Sequence, residues 1–195
     1  GPAFPVLGIS DIVDSQIRLL DALGVNQLHA AIGASIGGYL CLSLATRHPE
    51  RVRILVPIGT GVETTIYNRI INFEQVTAIE GDPHFQAGDY YQRPRPDTGL
   101  ALARRIAHKT FVSLDMLRER ARSEIVSHKP PHGWYEMNHP VESYMLHQGE
   151  KFVKRFDANV YLRILDAWQW FDLVAEAGAP AFPPLFHRFR KQDFL

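Results

Sequence analysis

The sequence predicts an α/β fold, a parallel sheet with right-handed helical crossovers that hands over to a helical subdomain. Two short, almost wholly apolar runs, "QLHAAIG" and "RVRILVPIG", alternate with helical periodicity across residues 1–60. Beyond Gly59 the helical pattern returns over 66–79, 100–111, 114–122, 141–152 and 158–173 with no strand between these stretches. The 195 residues are 46% hydrophobic and 22% charged, enough apolar material for a real core.

The first helix is expected over 9–23, where Ile9, Ile12, Val13, Ile17, Leu19, Leu20 and Leu23 keep helical spacing. Ser10 is its expected N-cap, Asp11 and Asp14 suit the first turn, and Gly24 stands at the stop. "QLHAAIG" then reads as a buried strand of the parallel type, followed by a helix from Gly37 to His48 that Pro49 ends. "RVRILVPIG", rich in β-branched residues, is the second strand. Two loops rich in Gly, Pro and aromatics, "GDPHFQAGDYYQRPRPDTG" and "HKPPHGWYEMNHP", interrupt the helical part. The last stretch, "AGAPAFPPLFHRFRKQDFL", reads as a return toward the sheet. The chain thus divides into a core segment at 1–60, a helical lid at 61–175 and a return segment at 176–195.

Lys plus Arg and Asp plus Glu stand at 21 each, so no basic field calls for nucleic acid, and small-molecule partners are expected. No stretch reaches the ~20 apolar residues of a membrane span. The single Cys41 has no internal disulfide partner, which makes a reducing cytoplasm the expected compartment.

Residues Gly33 to Gly37 carry the spacing G-x-S-x-G where a strand passes into a helix. A side chain at the tip of so sharp a turn is held in strained geometry and exposed above the sheet, with glycines on either side to let strand and helix pass. Ser35 is therefore the candidate nucleophile, and the backbone N–H of Ile36, at the positive end of the helix, the candidate oxyanion donor. A serine in this place could also do no more than cap the helix; strand before and helix after favour the nucleophile. Gly38 adds little either way.

The stretches "FPVLGISDIVDSQIRLLDALGV", "GASIGG", "RHPERVRILVPI", "AIEGDPHFQAGDYY", "GLALARRIAHKTF" and "VESYMLHQGEKFVKRFDANVYL" together resemble the homoserine O-acetyltransferase family of α/β-hydrolase-fold acyltransferases. The resemblance covers nearly the whole chain and includes the helical segments in order. It implies a partial α/β-hydrolase core (strand, nucleophile elbow, helix, strand) with a helical lid. It implies acetyl transfer from acetyl-CoA, a co-substrate and not a resident cofactor, through Ser35 to a hydroxyl acceptor, in methionine biosynthesis. The family's carboxylate-binding Arg, in G-L-x-x-A-R, falls on Arg104. A homodimer formed through the lid is also expected.

This chain departs from the family pattern at several places. Phe111 stands where the family usually has Tyr, Ala34 and Ile36 flank the serine, and Val76 replaces an Arg. The pocket is left less polar, which keeps acetyl-ester hydrolysis open as an alternative and puts homoserine itself in question. In this fold the acid and then the histidine follow the serine, beyond the lid. The resemblance also places earlier strands and a second oxyanion donor before the first residue, so the chain is expected to be an internal fragment. A noncatalytic fragment that keeps its elbow by descent is the third reading.

The remaining candidates carry less. His29 is expected to pack or meet solvent, and His48 to sit at a helix end. His108, four residues after Arg104 on one helix face, could approach the pocket, although a Ser–His pair demands more specific geometry. His128, His132 and His139 lack metal-ligand spacing, Cys41 is expected in the core, and Trp168, Trp170 and Phe171 are expected to pack.

Overall fold

The computed structural model describes residues 1–123, 134–135, 137, 139–181 and 193–194. Its elements are α1 (Ile9–Ala22), β1 (Leu28–Ala34), α2 (Ile36–Arg47), β2 (Val52–Ile58), α3 (Ile66–Glu80), α4 (Asp97–Phe111), α5 (Leu114–Ser123), α6 (Pro140–Val153), α7 (Ala158–Gln169), α8 (Leu173–Glu176) and β3 (Asp193–Phe194). They form two compact units, one of Pro5–Ile66 with Arg163–Leu195 and one of Gly1–Phe4 with Tyr67–Leu162.

In the first unit β1 and β2 pair in parallel from Leu28 opposite Val52 to Ala34 opposite Ile58. The β1–α2–β2 passage is thus the crossover that the sequence predicts. The returning segment joins as β3, with Asp193 opposite Ile54 and Phe194 opposite Leu55. Residues 182–192 of that segment lie outside the described residues.

Helix α2 is apolar nearly all round, and Tyr39 and Cys41 through Thr46 are all buried, as such a helix must be. Its buried hydroxyls are satisfied: Thr46 donates to the Leu42 carbonyl at 2.9 Å and Ser43 to the Glu176 carboxylate at 2.5 Å. Ile9 and Val13 of α1 complete the same core with Leu55 and Phe171.

Two details of α1 and β1 depart from the sequence reading. The N-cap of α1 is Gly8 and not Ser10, and the Asp11 carboxylate reaches back to accept the Gly8 N–H at 2.8 Å. The stop is as expected, with Gly24 at φ +70°. Strand β1 is buried on one face only, since Ala31 is 8% exposed and its neighbour Ile32 67%. Among the described residues α2 packs across β1 and β2, and nothing covers the Ile32 side.

The helix expected over 158–173 is broken. Residue Asp172 turns its carboxylate to the N–H groups of Val174 and Ala175 and caps α8, an alternative that competes with continued helix. The freed backbone pairs with the turn after β2: Thr64 donates to Phe171 at 3.2 Å and Leu173 to Val62 at 3.0 Å. Phe171 then stacks on Tyr39, with ring centroids 4.2 Å apart. For this reason the second half of α7, with Ala167 and Trp168 in that core, belongs to the sheet unit. Trp168 packs as expected, whereas Trp170 is 74% exposed.

Glu176 sits against Ser43, Arg47, Asp11 and the Ser10 N–H. Burial raises its pKa, while the Ser43 hydrogen bond, Arg47 and Ser10 oppose the rise and Asp11 adds to it. A folded-state pKa above the unfolded one stabilises most below the unfolded value, and the benefit is lost as pH climbs through the folded one. Glu176→Gln, which retains an acceptor for Ser43, is therefore expected to raise Tm at pH 7.5 and to lose that advantage near pH 4. Thermal melts at the two pH values check it; an equal gain at both contradicts the account.

In the second unit α4 packs against α6, and two glycines let backbones touch. A Cβ on Gly99 would lie 2.5 Å from the Ala78 carbonyl oxygen of α3, and one on Gly149 2.9 Å from the Ala101 oxygen of α4. The Asp82 carboxylate, buried, accepts the Gly99 N–H at 2.7 Å and the His84 N–H at 2.9 Å, which fixes the start of α4. The preceding loop is pinned as well. Arg95 donates to the Val153 and Phe156 carbonyls at 3.0 and 2.6 Å, and Tyr90 to the Asp157 carboxylate at 2.8 Å. No helix among the described residues is long and apolar enough to cross a membrane.

Candidate active site

Ser35 follows β1 and stands at the N-terminal boundary of α2 with backbone angles φ 53° and ψ −121°, a region that non-glycine residues enter only under constraint. The constraint is visible. Its N–H donates to the Ile58 carbonyl at the end of β2 at 2.9 Å, while its carbonyl accepts from Gly38 at 2.8 Å. Its side chain makes no cap bond to α2, and the residue is exposed. The serine is thus held at the tip of the turn without the capping role that was its alternative explanation. Ile36 is the first residue of α2, so its N–H is one that a helix leaves without an internal partner.

The glycines around Ser35 are unequal. A Cβ on Gly33 would sit 2.0 Å from the Gly37 carbonyl oxygen and 2.7 Å from the Cys41 sulfur, so strand and helix pass in contact here. A Cβ on Gly37 would meet open space. One on Gly38 would lie 2.4 Å from Thr60 Cγ2, so Gly38, set aside in the sequence, is sterically required. Gly33→Ala is expected to cost about 3 kcal/mol or more and Gly38→Ala about 1–3 kcal/mol. Gly37→Ala should be neutral or gain up to about 1 kcal/mol. Urea melts of the three variants give the ranking, and a Gly37→Ala loss as large as that of Gly33→Ala contradicts it.

Arg104 lies on α4, half-buried, with its guanidinium carbon 4.9 Å from the ring centroids of both Phe111 and Phe152. Its Nε is buried without a hydrogen-bond partner, and among the described residues no carboxylate pairs with it. Burial pulls its pKa down, Tyr161 and Tyr144 oppose this, and Arg155 adds to it. A guanidinium remains charged under such pressure. The ordinary explanation for a helix arginine, an ion pair with a neighbouring acid, finds no such acid among the described residues.

Phe111 is exposed and also meets the His108 ring edge-on at 5.1 Å. His108 itself is 4% exposed, its Nε2 3.0 Å from the Tyr144 hydroxyl, a position inside the helical unit's core that explains its place in the sequence. His29 is exposed on β1, and His48 caps α2 with Asp14 3.8 Å away. His139 caps α6, its Nδ1 accepting the Val141 N–H at 3.2 Å; His128 and His132 lie outside the described residues. Cys41 is buried as expected, and burial pushes its thiol pKa up. The sequence reading missed Asp82, Gly149 and Phe152. Asp82 stood in the quoted "GDP", but a carboxylate that caps a helix 17 residues away shows no local periodicity.

A strained serine between a parallel strand and a helix defines the class, and the family model for the alpha/beta hydrolase fold matches residues 2–182. The chain belongs to that family. Within it, the chain is 41% identical over 178 residues to a homoserine O-acetyltransferase of Zymomonas mobilis, covering 90% of this chain and 47% of that protein. It is 39% identical over 188 residues to a homoserine O-succinyltransferase of Pseudomonas putida, covering 96% and 50%. The chain therefore spans about half the length of the curated relatives it matches. Among solved structures, a homoserine O-acetyltransferase from Bacillus anthracis aligns with TM-score 0.82 at 21% identity, over 95% of this chain and 49% of that one. An acetylester hydrolase from Corynebacterium glutamicum aligns at 0.81 and 22% identity, over 99% and 52%. These two likenesses speak for the fold alone.

Proposed function

We propose that the protein carrying this chain is a homoserine O-acyltransferase that works through an acyl-Ser35 intermediate, with acetyl-CoA as donor. The observation that carries the reading is the Ser35 backbone, held at φ 53° with its hydroxyl unused as a cap. In the first step Ser35 Oγ adds to the thioester carbonyl. The Ile36 N–H meets the oxyanion, and the bond to sulfur breaks to release the thiol. In the second step the acceptor hydroxyl attacks the acyl-serine, forming the new ester and returning the serine. The proton passes in each step through the fold's histidine, which follows the acid in chain order. Arg104 offers its planar fork to the acceptor's carboxylate.

The donor is the finer part of this proposal, because the relatives include proteins named for acetyl and for succinyl transfer. The enzyme would act in the cytoplasm, as a homodimer formed through the helical part. A second reading, acetyl-ester hydrolysis, draws on Phe111, whose ring lies beside Arg104 and itself carries no hydroxyl. One assay separates the two. Full-length protein with acetyl-CoA is expected to release thiol in proportion to added homoserine and to form the O-acetyl ester. Thiol release that ignores homoserine, together with turnover of simple acetyl esters, favours the hydrolase.

A further inference from the structure

Arg104 accounts for one guanidinium beside Phe152, and the structure holds another. Arg155 follows α6, and its guanidinium carbon lies 5.8 Å from the Phe152 ring centroid, against 4.9 Å for Arg104. A cation just past a helix C-terminus ordinarily serves the last carbonyls. Here that duty falls elsewhere, because Arg95 donates to the Val153 and Phe156 carbonyls at 3.0 and 2.6 Å. Among the described residues Arg155 makes no ion pair, and Arg104 makes none either. The two charges repel, and the Arg155 charge weighs on the Arg104 proton affinity. Two guanidiniums beside one ring, neither ion-paired among the described residues, suit an anion supplied from outside.

We propose that Arg155 acts with Arg104 as a second cation for a substrate carboxylate. The inference rests on the acyltransferase reading of the site. That chemistry has two sources, the carboxylate of the acceptor amino acid and the free carboxylate of a dicarboxylic acyl donor. Arg155 is exposed, so its replacement leaves the packing of the core in place.

The test is steady-state kinetics of full-length Arg155→Gln, Arg155→Lys and Arg104→Gln, with homoserine as acceptor and either acetyl-CoA or succinyl-CoA as donor. Arg155→Gln is expected to raise a KM about tenfold, with the effect in KM and not in kcat, and Arg155→Lys to recover most of it. A rise in homoserine KM with either donor assigns the site to the acceptor carboxylate. A rise confined to the succinyl-CoA KM assigns it to the donor. An enzyme that does not use succinyl-CoA is read on the acetyl arm alone. If Arg104→Gln weakens homoserine and Arg155→Gln changes only Tm, the inference is overturned and the acyltransferase reading stands. If neither variant affects any KM, the acceptor reading of Arg104 fails and takes this inference with it.

Discussion

Ser35→Ala is expected to abolish acyl transfer, lowering turnover by a factor on the order of a million, as removal of a serine nucleophile does in enzymes of triad type. The burst of chromophore that accompanies acylation by a chromogenic acetyl ester should vanish with it. Ser35 is strained at φ 53° and makes no side-chain bond to α2, so replacement by Ala removes the hydroxyl and leaves the turn's contacts in place. The variant should therefore melt with the wild type and fail only in chemistry. A Ser35→Ala protein that keeps its burst has another nucleophile, and the elbow reading is wrong.

Arg104→Ala is expected to raise the homoserine KM roughly a hundredfold, the equivalent of about 3 kcal/mol for a charged hydrogen-bonded partner lost from a partly buried site. Hydrolysis of a small acetyl ester, which has no carboxylate to bind, should fall far less. Stability ought not to suffer greatly, because no carboxylate of the described residues depends on this arginine, although the Phe111 and Phe152 rings lose a stacked neighbour. A homoserine KM within about twofold of wild type would falsify the acceptor role and favour the hydrolase.

Glycines needed for φ above zero are legible in a sequence, as Gly24 was, because the chain must stop there whatever surrounds it. Glycines needed for close approach are not. Gly38 owes its identity to Thr60, and Gly149 to Ala101, neighbours that only the folded chain supplies. The same division holds for caps. Ser10 has the right chemistry for a cap, yet α1 starts at Ile9 behind a Gly8 cap whose N–H the Asp11 carboxylate accepts.

The sequence by itself determined the crossover from β1 through α2 to β2, the position of Ser35 between strand and helix, and the helical character of the middle of the chain. Each of these follows from local periodicity and turn chemistry, which act over a few residues. Only the tertiary structure decided that the helix over 158–173 breaks at Asp172, since the freed backbone finds partners at Val62 and Thr64, far away in the chain. It also decided that Arg104 of α4 meets Phe152 of α6, the ring that Arg155 neighbours three residues further along. Side chains distant in sequence meet only when α4 and α6 pack, and that packing is set by glycines and a buried carboxylate whose partners no local pattern names.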